Sequence, residues 1–111
     1  MSLRLISPQP RSLLGEIKKA IDRGHVETWC YDQDGDFTHT PSQWKNKAWL
    51  RPRVLGGELL LTTIAPEGAK MSLEVYAVYH GRFAEMALAH FDKMFTAVQA
   101  SALPADGDRI G

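Results

Sequence analysis

The period of the hydrophobic pattern changes twice along this chain, and those changes set its fold class. From about Pro10 to Arg23, Leu13, Leu14, Ile17, Ala20 and Ile21 share one stripe at helical spacing, with Glu16, Lys18, Lys19 and Asp22 mostly outside it. Ser7, Pro8 and Pro10 mark the approach to this helix, and Gly24 stands where a left-handed cap would end it. Short β-rich runs then alternate with turn residues. Val26–Asp32 and Phe37–Thr40 flank Asp34-Gly35, a strong hairpin signal, and a break at Pro41-Ser42 precedes a strand over Lys45–Arg53. Gly56-Gly57 turns the chain into Leu59–Ile64, and Ala65-Pro66-Glu67-Gly68 punctuates again. Alternation over Leu73–His80 predicts a further strand. From Arg82 the helical period returns, with Phe83, Met86, Ala87, His90, Phe91, Met94 and Val98 on one wide stripe.

Helix, meander, helix is the order of an α+β two-layer sandwich. The expectation is an antiparallel sheet of four to five strands with the N- and C-terminal helices packed on one face, where both can bury their apolar stripes. Residues 1–101 are read as this single domain and 102–111, rich in small and polar residues, as a flexible tail. The 111 residues suffice for one core. Thirteen basic and thirteen acidic residues balance, which gives no support to general attraction for nucleic acid or membranes. Cys30 is the only cysteine, so there is no disulfide framework or multi-cysteine zinc pattern. No apolar run is long enough to span a bilayer and no signal-peptide stretch is visible, so the expected setting is soluble and cytoplasmic. Neither a cofactor nor a metal is implied.

The most suggestive local pattern is Lys45, Lys47, Trp49, Arg51 and Arg53 at a spacing of two, which in an extended strand places four cations and one aromatic plane on one surface. With Trp29 and Tyr31 on the same open sheet face, it would form a binding surface. Bases stacking on Trp49 while phosphates pair with the cations is one use of it. The ordinary alternative is charge neutralisation by Glu27, Asp32, Asp34 and Asp36 of the neighbouring hairpin, or an edge strand protected by its lysines. Pro52 cannot donate to a ladder, so the outer part of this strand should not be centrally paired.

Other constellations are thinner. Asp32, Asp34 and Asp36 alternate like calcium donors, but Phe37 occupies the required glycine position and Gln43 that of the final glutamate. A two-residue turn at Asp34-Gly35 would set Cys30 opposite His39 and allow a thiolate–imidazole pair, whereas a three-residue turn pairs Cys30 with Thr38 and sends His39 to the other face. His80 and Arg82, at the expected strand-to-helix junction, would suit an anion. The leading expectation is a non-catalytic interaction module. It would form a homodimer and bind a protein partner through Trp29, Tyr31, Lys45, Lys47, Trp49, Arg51 and Arg53. Single-stranded nucleic-acid binding by the cationic strand, or a small enzyme using Cys30/His39 or His80/Arg82, are the alternatives.

Overall fold

In the computed structural model, which describes Met1–Gly111, eight elements follow one another. They are β1 (Ser2–Ile6), α1 (Pro10–Asp22), β2 (Trp29–Tyr31), β3 (Phe37–His39), β4 (Trp49–Leu55), β5 (Glu58–Ile64), α2 (Leu73–Phe91) and β6 (Ala97–Ala100). The strands make one sheet in the order β2-β3-β4-β5-β1-β6, and every strand pair is antiparallel. The α+β class therefore stands, with six strands rather than four to five. β2 to β5 form the expected meander. The two additional strands come from the termini of the fold: β1 lies between β5 and β6, pairing Leu3 with Leu61 on one side and Ala100 on the other.

Alternation along each strand separates two faces. Leu3 and Leu5 of β1, Leu50 of β4, Leu59 and Leu61 of β5, and Phe37 of β3 are all fully buried beneath the helices. Leu13 and Ile17 of α1 and Tyr79, Phe83, Met86, Ala87 and Phe91 of α2 close the same core, so both helices cover one face. Burying a side chain of this size contributes about 1.5–3 kcal/mol. Ser2, Arg4, Arg51, Arg53, Leu60 and Thr62 point to the opposite, helix-free face by register.

Helix α1 ends as expected. Gly24 has φ +75°, its N–H donates to Ile21 O at 3.1 Å and the His25 N–H to Ala20 O at 2.9 Å, which closes the helix in a Schellman motif and turns His25 toward α2. The strand expected over Leu73–His80 is instead the first half of α2. Ser72 caps it, its Oγ accepting the Val75 N–H at 3.1 Å. Alternation and helical spacing coincide here, because Val75, Tyr79 and Phe83 are four apart. The structure separates the two: Tyr79 is fully buried while Leu73, on the same side in the strand reading, is 72 % exposed.

The strand expected from Lys45 begins only at Trp49. Residues 41–47 form turns in which the Trp44 and Lys45 amides both donate to Pro41 O, and Asn46 takes φ 59°. Tyr79 pins this segment from α2 by donating its hydroxyl to Trp44 O. As proline requires, Pro52 lies beyond the reach of β3, which pairs with β4 only at Phe37–Leu50.

The C-terminal segment lies along the end of β5, where β1 stops. Asp108 accepts the Thr63 N–H at 2.8 Å, Arg109 N–H donates to Thr63 O and Ala65 N–H returns to Arg109 O. Gly107, at φ +93°, crosses over Thr62 so closely that a Cβ would stand 3.1 Å from Thr62 Cγ2. No helix is long and apolar enough to cross a membrane.

Candidate functional site

The helix-free face carries the first candidate. Trp49, half-buried, sits on β4 opposite Ile64, and a cleft of about 700 Å³ opens over them. Asp32 and Asp36 of the hairpin, Pro66 and Lys70 of the loop after β5, and Arg109 of the C-terminal segment form its walls. Asp36 is 4 % exposed and accepts two bonds from Arg51, Nε at 3.1 Å and Nη2 at 2.8 Å. This hydrogen-bonded pairing raises the Arg51 pKa further. Arg51 thus serves the sheet before it serves any ligand. Arg4 pairs with Glu58 at 2.6 Å, which leaves exposed Arg53 as the strand cation without an acidic partner.

The seven residues expected to share a binding face do not. Trp49, Arg51 and Arg53 do so, as alternation requires. Trp29 is 2 % exposed on the helix side, edge-on to Tyr79 and Phe83 with ring centroids 5.6 and 5.0 Å away. Tyr31 also faces the helices: its hydroxyl donates to Asp22 of α1 at 2.7 Å, which raises its pKa, and the Lys18 ammonium stands 5.2 Å from its ring centroid. Lys45 and Lys47 lie in the turn, where with Lys70 and Ser72 they border a separate groove of about 510 Å³. Lys70 borders both depressions, so the loop between β5 and α2 divides them.

The register of the β2–β3 hairpin also overturns the expected thiol–imidazole pair. Asp32 and Asp36 close the turn around three residues, Cys30 pairs with Thr38 and His39 with Trp29, so Cys30 and His39 point to opposite faces. Asp32 Oδ1 accepts the amides of Asp34 and Asp36, a local Asx turn. The three aspartates bring oxygens within 4.8 Å of one another, but Asp32 is engaged in that turn and Asp36 by Arg51. His80 and Arg82 are parted as well, since they sit two apart in mid-helix rather than at a helix start. His80 is buried, donates Nδ1–H to Tyr76 O at 2.7 Å, and burial lowers its pKa.

The second candidate lies on the helix side, where sequence spacing gave no sign of it. His39, 2 % exposed, packs against Trp29 with ring centroids 4.6 Å apart and planes tilted by 34°, and donates Nδ1–H to Thr28 O at 2.7 Å. That bond fixes the tautomer and leaves Nε2 as an acceptor for which no protein group provides a donor. His39 borders a cavity of about 330 Å³ shared with His25, Val26, Arg82, Glu85, Met86 and His90. Burial lowers the His39 pKa; Arg82 adds to that effect and Glu85 opposes it. The cavity draws on the α1 cap, the approach to β2, the end of β3 and the outer side of α2. No local signal brings Arg82 and Glu85 to His39; the Ser72 cap would only have extended α2 back from Arg82. No family model, curated protein or solved structure matches the chain.

Proposed function

We propose that this protein is a non-catalytic interaction module that receives a protein partner on its helix-free sheet face, in the first instance a second copy of itself. The observation that carries this reading is Trp49, half-exposed in a cleft of about 700 Å³ on the face that no helix covers. An amphipathic aromatic in a concave, mixed-charge setting is a common anchor of protein interfaces. Arg53 lies on the same face and acidic Asp32 and Glu67 border the cleft, so two copies related by a two-fold axis can offer each other opposite charges. The balanced formal charge of the chain adds no long-range repulsion between copies. The single half-buried thiol, Cys30, suits a reducing, cytoplasmic setting.

Sedimentation across a wide concentration range tests this directly. We expect a dimer that dissociates in Trp49→Ala and in Arg53→Glu, while circular dichroism shows both variants folded. A wild type that stays monomeric, or a dimer indifferent to both substitutions, rejects the assignment. A second reading is favoured by one arrangement, the convergence of Lys45, Lys47 and Lys70 around the neighbouring groove. Single-stranded nucleic acid would then lie on the lysines, with Trp49 next to them across the loop. Binding that weakens steeply with salt and is lost when the three lysines become alanine supports it; no binding at low salt ends it.

A further inference from the structure

The sheet ends in two edge strands, β2 and β6, and only β2 is defended. A free edge offers unpaired N–H and C=O groups to another strand, and proteins blunt such edges with charge, proline or cover. β2 is flanked by exposed Glu27 and Asp32, which antiparallel pairing of two copies would bring near each other. β6 has no such guard. It lies within residues 94–105, the longest stretch of this chain without Asp, Glu, Lys or Arg, and its Ala97, Gln99 and Ala100 are exposed.

The ladder with β1 fixes which backbone groups face out. Ser101 N–H donates to Ser2 O at 2.8 Å, and the same register pairs Gln99 with Arg4 and Ala97 with Ile6. Alternation therefore turns the backbone of Ala97, Gln99 and Ser101 toward β1 and that of Val98 and Ala100 outward, where no protein group meets it. Gln99 shares the helix-free face with Arg4. We propose that β6 pairs with β6 of a second copy about a two-fold axis beside Gln99, so that the antiparallel sheet runs on from one copy into the other. Val98 of each copy then exchanges both main-chain hydrogen bonds with Ala100 of the other. The two Gln99 residues stand opposite each other with Cα atoms about 4.5 Å apart, and their amides, which both donate and accept, satisfy one another. A two-fold contact sets a strand against itself, so a charged edge repels its own copy and this uncharged one does not. A charged segment of another protein would find no counter-charge along 94–105. β5 and β1 lie between β4 and β6, so this contact is separate from the one proposed at Trp49 and can coexist with it. It buries no large side chain, and it is the weaker of the two.

Sedimentation and amide hydrogen exchange of the full chain between about 10 μM and 1 mM test the pairing. We expect growth beyond the Trp49 dimer as concentration rises, with exchange of the Val98 and Ala100 amides slowed about two-fold or more. Ala100→Pro removes an outward N–H and no bond to β1, so it should fold normally and weaken this step by about ten-fold or more. Gln99 is exposed, so Gln99→Lys and Gln99→Glu should also fold. Each alone should weaken the step, and mixing the two in equal amounts should restore it, because unlike charges then meet at the axis. In Trp49→Ala the first contact is lost and the edge contact remains as a weak monomer–dimer step, so the failure of either contact is read without the other. Val98 and Ala100 amides that exchange equally at both concentrations, association indifferent to Ala100→Pro, or no recovery on mixing the Gln99 variants overturns the proposal.

Discussion

The two sheet faces present clefts assembled in opposite ways. The Trp49 cleft has a floor made by neighbouring strands: Trp49 and Ile64 are a cross-strand pair, and Arg51 reaches its acidic partner on the adjoining hairpin. Its chemistry follows from alternation along β4. The His39 cavity has no such local logic. It exists because α2 brings Arg82 and Glu85 over the end of a hairpin that lies more than forty residues earlier in the chain. The same contrast runs through the tryptophans. Trp29 is core, locked edge-on against Tyr79 and Phe83, whereas Trp49 is half-buried at a cleft. An aromatic on a strand carries no label for its face; register supplies it.

Substitutions can break or sharpen this contrast. The largest effect is expected for Trp29→Ala, which empties a space between β2, β3 and α2 and should cost about 3–5 kcal/mol in urea unfolding, against about 1 kcal/mol or less for Trp49→Ala. Similar costs for the two would mean that the faces have been assigned wrongly. Next comes Asp36→Ala. It strips a carboxylate, 5 % exposed, from Arg51 beside the Trp49 cleft, and we expect about 1–3 kcal/mol of destabilisation by the same measurement. A cost near zero would show that Arg51 is free to serve a ligand.

The helix side should differ in its response to acid. His39 and His80 are buried and their pKa values lie below the ordinary 6.5. The unfolded chain therefore binds more protons than the folded one below about 6.5, and stability rises with pH through that window. Their contribution is fully present above 6.5 and is lost as pH falls toward the folded values, at no more than about 1.4 kcal/mol per pH unit for each ring. Urea midpoints of wild type and His80→Asn at several pH values isolate one of the two; equal slopes would refute the assignment. The smallest effect belongs to exposed Arg53, where Arg53→Glu should change stability by about 0.5 kcal/mol or less while abolishing self-association. A larger loss would make Arg53 a structural residue.

Much of the fold was legible because its signals are local. The stripe of α1, the Gly24 cap, the Asp34-Gly35 hairpin and the buried run of β5 each lie within a few neighbouring residues. What failed was ambiguous at that range. Leu73–His80 satisfies periods of both two and four, and only the exposure of Leu73 beside the burial of Tyr79 separates them. β1 and β6 have no flanking hairpin turn signal such as the Asp34-Gly35 that marks the still shorter β2 and β3, Val98 of β6 also fits the helical stripe, and both strands owe their place to each other and to β5. Of the expected binding residues, Trp49, Arg51 and Arg53 lie within one true strand and share a face. Trp29 and Tyr31 were misplaced by the unknown register, and Lys45 and Lys47 by a turn that ends the alternation before Trp49.

By itself the sequence determined the α+β class, the first helix and its cap, the hairpin and the stripe Trp49–Arg51–Arg53, since propensity, turn chemistry and alternation act between near neighbours. Tertiary structure alone decided that Arg51 is neutralised by Asp36, that Trp29 is core, that Cys30 and His39 point apart, and that His39 meets Arg82 and Glu85. Those outcomes depend on the number of residues in one turn and on how a long helix lies across the sheet. The deciding energy, the burial of Leu3, Phe37, Leu61, Tyr79 and Phe83 in one core, is shared among segments distant in the chain.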